Sequence, residues 1–150
     1  MKSSFDKHHT NEVIARIHQL TPTTTPHWGK MNVAQMLAHL NVAYDMAYTD
    51  AYPQPNFLVR WLLTRFVKPA VVGPKPYPKN GRTAPAFLVD SDQDFEKEKK
   101  KLINYIEQTQ SLGANHFEQK ESNSFGKLTA EEWSVLFSKH LDHHLTQFGV

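Results

Sequence analysis

Nineteen residues in the middle of this chain, VVGPKPYPKNGRTAPAFLV from Val71 to Val89, hold four prolines (Pro74, Pro76, Pro78, Pro85) and two glycines (Gly73, Gly81). Proline removes a backbone donor and clashes with the preceding turn, so no long helix runs through this stretch. On both sides of it, apolar residues recur at helical spacing. The chain is therefore expected to be all-α, a bundle whose helices are joined by one long proline-rich crossover. Loops of this length in compact domains are either binding elements or extended straps over the surface. A short strand over Ala86 to Val89 is the one β element the pattern suggests.

Five helices are expected. The first runs from about Thr10 to Leu20, with Val13, Ile14, Ile17 and Leu20 on one face, and TPTTTP stops it. The polar tail before it, with His8 and His9, is expected to be irregular. The second runs from Asn32 to about Tyr48. Asn32 caps it, Gln35 completes a capping box, and Met36, His39, Leu40, Ala43 and Met46 share a face. The third starts near Pro55 and ends before Pro69, with Phe57, Leu58, Trp61, Leu62 and Phe66 as its apolar residues. The fourth spans Ser91 or Asp92 to Leu112, with Asp90, Asp92 and Asp94 at its positive end and Gly113 as a C-terminal cap. The fifth follows a second capping box, Thr129 with Glu132, and carries Trp133, Leu136, Phe137, His140 and His144 on one side.

Length and composition narrow the function classes. The 150 residues suffice for one core, and 1–150 reads as a single domain without repeats. The 17 basic and 15 acidic residues nearly balance, which argues against nucleic acid as a partner. The KEKKK run from Lys97 to Lys101 reads as a solvated helix face. There is no cysteine, which excludes disulfides, thiolate metal sites and a cysteine nucleophile. The N-terminus lacks the apolar stretch of a signal peptide, and no apolar run approaches membrane-spanning length. A soluble cytoplasmic protein without membrane attachment is expected.

The histidines carry the chemical signal. His140 and His144 are spaced i,i+4 in KHLDHHLTQF, so their side chains share a helix face. His39 lies in QMLAHLNVAY on the core face of another helix. Three neutral imidazoles around one divalent ion leave a coordination position open, the arrangement of a catalytic metal site. The other reading is that each ring is a buried histidine with its own hydrogen-bond partner, since an unpaired polar ring in a core is costly. His143 lies about 60° round the helix from His140, which suits a rim or proton-shuttle role better than ligation. HLDHH lacks the internal glutamate of the HExxH proteases, and no nucleophile elbow or phosphate loop is present. Gln35 and Gln147, one turn from the ligands, are candidate supports. Lys75, Lys79 and Arg82 in the crossover are candidates to greet an anionic cofactor, with that segment beside the mouth of the site. An all-histidine site is expected to lose its ion as pH falls through about 6.5. His18, His27 and His116 are isolated.

HWGKMNVAQMLAHL after a proline-rich entry, together with the ending KHLDHHLTQFGV, resembles the DinB/YfiT-like superfamily of metal-dependent four-helix bundles, and more closely a branch of it with no assigned activity. The resemblance covers nearly the whole chain through helix order. It implies a four-helix bundle with an extra short helix, and a ligand triad at His39, His140 and His144. The implied ion is zinc or nickel, with manganese as a third choice. It also implies an enzyme that transfers a low-molecular-weight thiol to an electrophilic small-molecule substrate, and a homodimer. A hydrolase on the same three histidines and a non-catalytic, stress-related binding module are its rivals.

Overall fold

In the computed structural model, which describes residues 2–150, the chain is mostly helical, with one short hairpin. Helix α1 spans Lys7–His18, α2 Val33–Tyr48, α3 Phe57–Leu62, α4 Lys68–Val72, α5 Phe95–Phe117 and α6 Ala130–Gln147. Strands β1 (Lys120–Ser122) and β2 (Gly126–Leu128) pair antiparallel.

Local capping sets the starts of the long helices. Asp6 accepts from the His9 amide and begins α1 three residues before the expected start. His8 and His9 therefore lie in a helix, not in an irregular tail, because an aspartate at the N-cap satisfies an otherwise orphaned donor. Both expected capping boxes form, Asn32 with Gln35 on α2 and Thr129 with Glu132 on α6. Asp94, the last of the three alternating aspartates, caps α5. Gly113, expected to end α5, interrupts it with φ +74°, and one further turn continues to Phe117. That extra turn buries Phe117 completely, against Phe5, Trp133 and Phe137.

Helices α1, α2, α5 and α6 share one core. Ile17, Met36, Leu37, Leu40, Leu102, Phe137 and Leu145 are essentially inaccessible within it. The α2 helix, packed against both α5 and α6, is buried nearly all round, Asn41 and Tyr44 included. Tyr44 stacks on Phe137 at 4.4 Å and joins the two helices below the histidines.

The third helix departs from expectation twice. It does not end before Pro69. A π-helical turn over Leu63–Val67 joins α3 to α4, with Pro69 in the first turn of α4. The wider π turn leads into a fresh helical start, where proline's missing donor costs nothing. Its apolar residues also face outward: Phe57, Leu58, Trp61, Leu62 and Phe66 are all exposed. The expected strand over 86–89 is a 3₁₀ turn at Pro85–Phe87 instead. Proline fixes φ for such a turn, and no neighbouring strand is there to pair with. The hairpin forms where nothing was expected: Ser122 Oγ takes the Phe125 amide and donates to the Gly126 carbonyl, and Gly126 supplies a positive φ. No helix of the described residues is long and apolar enough to cross a membrane.

Candidate metal centre

Three side chains from two helices converge at one end of the core. His39 comes from the middle of α2, and His140 and His144 come from successive turns of α6. Each offers a ring nitrogen, and these nitrogens all lie within 4.8 Å of one another. His39 and His144 are buried and His140 is half-buried. The ring centroids stand 4.5 to 5.0 Å apart, each pair edge to face. A group of three histidines this close can bind a metal ion.

The hydrogen bonds around the rings decide which nitrogens face inward. His39 Nδ1 lies 2.8 Å from the Phe87 carbonyl. A carbonyl only accepts, so Nδ1 carries the proton and Nε2 keeps its lone pair. His144 Nδ1 donates in the same way to Gln147 Oε1 at 2.7 Å, and Gln147 Nε2 donates to the Trp28 carbonyl at 2.7 Å. That second bond fixes which end of the amide points at the imidazole. His140 Nε2 lies 2.9 Å from His39 Nε2 and shares its proton with that lone pair. Tetrahedral ligands at about 2.0–2.1 Å from zinc stand roughly 3.3 Å apart, close to the spacing of this one pair.

Burial keeps the rings neutral. Desolvation holds His39 below the ordinary imidazole value against the opposing pull of its bond to Phe87. Desolvation, and then the neighbouring His39 and His144 rings, hold His140 well below it. His144 is pushed down to about 3, mainly by desolvation. At neutral pH all three are therefore free bases, the state a metal requires.

The surroundings come largely from loops. Trp28 sits edge-on to His143 at 5.8 Å, and Tyr77 faces both His143 at 5.7 Å and His140 at 6.4 Å. Burial raises the Tyr77 hydroxyl to about 12, so it stays protonated. Gly29, with φ +86°, lies so close that a Cβ there would stand 2.5 Å from Gln147 Nε2. Lys139 clamps the end of α4: its ammonium donates to the carbonyls of Ala70, Gly73 and Lys75 at 2.6, 2.8 and 3.1 Å and lies over the Tyr77 ring. The proline-rich segment thus touches the histidines through Tyr77 and Phe87.

The other sequence candidates fall differently. His143 is half-buried on the rim, and desolvation lowers it against the opposing charge of Asp142. Lys79 Nζ sits 4.5 Å over the Trp28 ring, near His143. Lys75 meets Lys139 only through its backbone carbonyl, and Arg82 is exposed. Gln147 supports His144, but Gln35 does not support His39: its side chain accepts from the Asn32 amide and donates to the Ser91 carbonyl. The capping bond at the start of α2 holds it there. Trp28, Gly29, Tyr77, Phe87 and Lys139 were not among the sequence candidates. HWGK beside the histidine helix was the one available signal for the first two.

The family described as "Protein of unknown function (DUF1569)" matches residues 1–149. Comparison with curated proteins and with solved structures returned no match.

Proposed function

We propose that this chain, which belongs to the DUF1569 family of proteins of unknown function, is a divalent-metal enzyme on a four-helix bundle of the DinB/YfiT type. In this reading residues 1–150 are one domain, α1, α2, α5 and α6 are the bundle, and α3 with α4 is the extra helical piece in the crossover. His39, His140 and His144 hold the ion, zinc or nickel by the preference of imidazole donors, with manganese third. One observation carries the reading. The Nδ1 protons of His39 and His144 are both engaged by oxygen acceptors, which aims two Nε2 lone pairs at the place where His140 Nε2 also lies. Metal-binding histidines are oriented by this kind of outer acceptor.

Held by His39, His140 and His144, a divalent ion would supply a +2 charge undiminished by any anionic ligand and would lower the pKa of a thiol or water bound to it. The chain's own residues do the rest. His143, neutral at pH 7 and on the rim, accepts the released proton. Trp28 and Tyr77 wall the approach and restrict water. Lys79 meets the anionic part of a low-molecular-weight thiol, and Lys75 and Arg82 add to the attraction from further out. The reaction class is transfer of that thiol to an electrophilic small-molecule substrate.

Metal analysis of the purified protein, with calorimetric titration of zinc, nickel and manganese, tests the centre. One ion per chain is expected, and a chain that binds none ends the reading. Thiolate absorbance of glutathione added to the loaded protein tests the chemistry. Loaded protein that leaves the thiol unchanged yet hydrolyses esters is a hydrolase. Loaded protein that does neither is a binding module.

A further inference from the structure

Positive charge and exposed apolar surface coincide in one segment. Six of the chain's 17 basic residues and none of its 15 acidic ones lie between Ala51 and Val89, which leaves the rest of the chain net acidic. The same segment holds eight of the nine large apolar side chains exposed among the described residues; only Leu112 lies elsewhere. Within it α3, the π turn and α4 make one helical stretch from Phe57 to Val72. Its inner side is tied down by charge. Arg60 pairs with Glu121 of the hairpin, and Lys68 Nζ lies 2.8 Å from Glu132 of α6. Its outer side presents Phe57, Leu58, Trp61, Leu62 and Phe66 to solvent, 85, 64, 54, 41 and 65% exposed. These fall in two i,i+4 rows, 57–61 and 58–62–66, and so make adjacent ridges on one convex face.

The unpaired cations accompany that face. Arg65 is exposed beside Phe66, with its guanidinium 5.4 Å from the ring. Lys75, Lys79 and Arg82, also exposed, follow in the loop that leaves α4. At roughly 150–250 Å² for a large side chain, the five apolar exposures amount to about 600 Å². That is the upper end of what monomers leave uncovered, and patches of this size are often functional.

We propose that this face docks on an anionic lipid surface, with Phe57, Trp61 and Phe66 entering the headgroup boundary and the unpaired cations attracted to lipid phosphates. Helices that lie in a membrane interface combine Trp, Phe and Leu on one side with Lys and Arg around it, and bind through apolar area together with anionic charge. A fluid bilayer receives a convex ridge without a matching groove, which a protein partner would have to supply. A second copy would set Arg65 against a face that offers no carboxylate to answer it. A nucleic acid would be met by cations at the centre of the face, where aromatic and leucine side chains stand here. No helix is long and apolar enough to cross a membrane, but length does not bear on a helix that lies along the surface.

Cosedimentation with vesicles tests the proposal, on protein stripped of metal and on protein loaded with zinc. Both forms are expected to bind vesicles of phosphatidylglycerol and phosphatidylcholine in equal parts at low salt. Binding to phosphatidylcholine alone is expected to be weak, and added salt to release the protein by screening. Trp61 is half exposed and Trp133 buried, so a blue shift of tryptophan emission that Trp61→Phe removes reports entry into the lipid. Phe57→Ser combined with Phe66→Ser is expected to weaken binding at least about tenfold, and Arg65→Gln about fivefold. Leu112→Ser on α5 is expected to leave it unchanged. If the double variant does not fold, Arg65→Gln and the salt dependence of the parent decide. Absence of binding at low salt overturns the proposal, as does equal binding to phosphatidylcholine alone, or binding unchanged in either variant. Protein that ignores vesicles, runs at twice the 17.3 kDa chain mass and returns to single mass in the double variant overturns it in favour of a second copy. Binding to polyglutamate as tight as to the vesicles overturns it in favour of an acidic protein. Because the metal-free form is measured too, failure here leaves the histidine centre standing.

Discussion

Replacing Gln147 separates orientation of a metal ligand from simple packing. The side chain is 4% exposed and makes two bonds, accepting from His144 Nδ1 and donating to the Trp28 carbonyl. Gln147→Leu keeps most of the volume and leaves both partners buried without a hydrogen bond. Each orphaned group costs about 1–3 kcal/mol, so the metal-free protein is expected to lose about 2–6 kcal/mol in urea denaturation. His144 also loses the acceptor that holds its Nε2 toward the cluster. Loss of an outer acceptor of this kind weakens metal binding 10–100-fold, or about 1.4–2.7 kcal/mol. Gln147→Glu distinguishes the two effects. A carboxylate still accepts from His144 but cannot donate to Trp28, so stability is expected to fall while calorimetric metal affinity stays well above that of the leucine variant. Wild-type affinity in Gln147→Leu would refute the orienting role, as would equal weakening in both variants.

Acidification is expected to destabilise the metal-free protein. The folded pKa of His144, about 3, lies below the ~6.5 of an unfolded chain, so its stabilising contribution is complete above pH 6.5 and is lost as pH falls toward 3. In that window each imidazole held neutral costs about 1.4 kcal/mol per pH unit, and urea midpoints that stay flat between pH 7 and 4.5 would contradict it. For the same reason proton competition with the metal is expected to set in below the pH 6.5 that an ordinary imidazole implies, as titrations at stepped pH will read. His39→Ala, His140→Ala and His144→Ala are each expected to abolish stoichiometric metal binding, and His143→Ala to preserve it, by metal analysis after desalting. Gly29→Ala is expected to cost about 1–3 kcal/mol, through its positive φ and its clash with Gln147, and to weaken metal binding along with stability. Lys139→Met is expected to speed proteolysis within residues 71–85, because three carbonyls at the end of α4 lose their shared donor.

How much of this was legible in the sequence depends on which atoms carry each contact. The starts of α2 and α6 were readable because a capping box is written in side chains three residues apart, Asn32 with Gln35 and Thr129 with Glu132. The three histidines were readable because helical spacing assigns a face, and a core face is where a cluster forms. The outward turn of α3 was not. The 58–62–66 row has the same period as the buried row Trp133–Phe137 on α6. What separates them is the pairing of Arg60 and Lys68 with Glu121 and Glu132, which depends on elements far along the chain.

The support of the histidines was hidden for a different reason. His39 is oriented by the backbone carbonyl of Phe87, and Gln147 by that of Trp28. Every residue has such a carbonyl, so neither contact leaves a signature in residue type. Sequence does constrain what brings these carbonyls into place. Pro85 sets the 3₁₀ turn that presents Phe87, and Gly29 permits the close approach of its loop to Gln147. The residues most sensitive to substitution around the centre should therefore include positions with no polar side chain at all. Pro85→Ala frees the backbone of the turn without touching any ligand. It is expected to loosen His39 and to weaken metal binding more than it lowers global stability. A metal affinity unchanged by that substitution would show that the 3₁₀ turn is held by its neighbours and not by its proline.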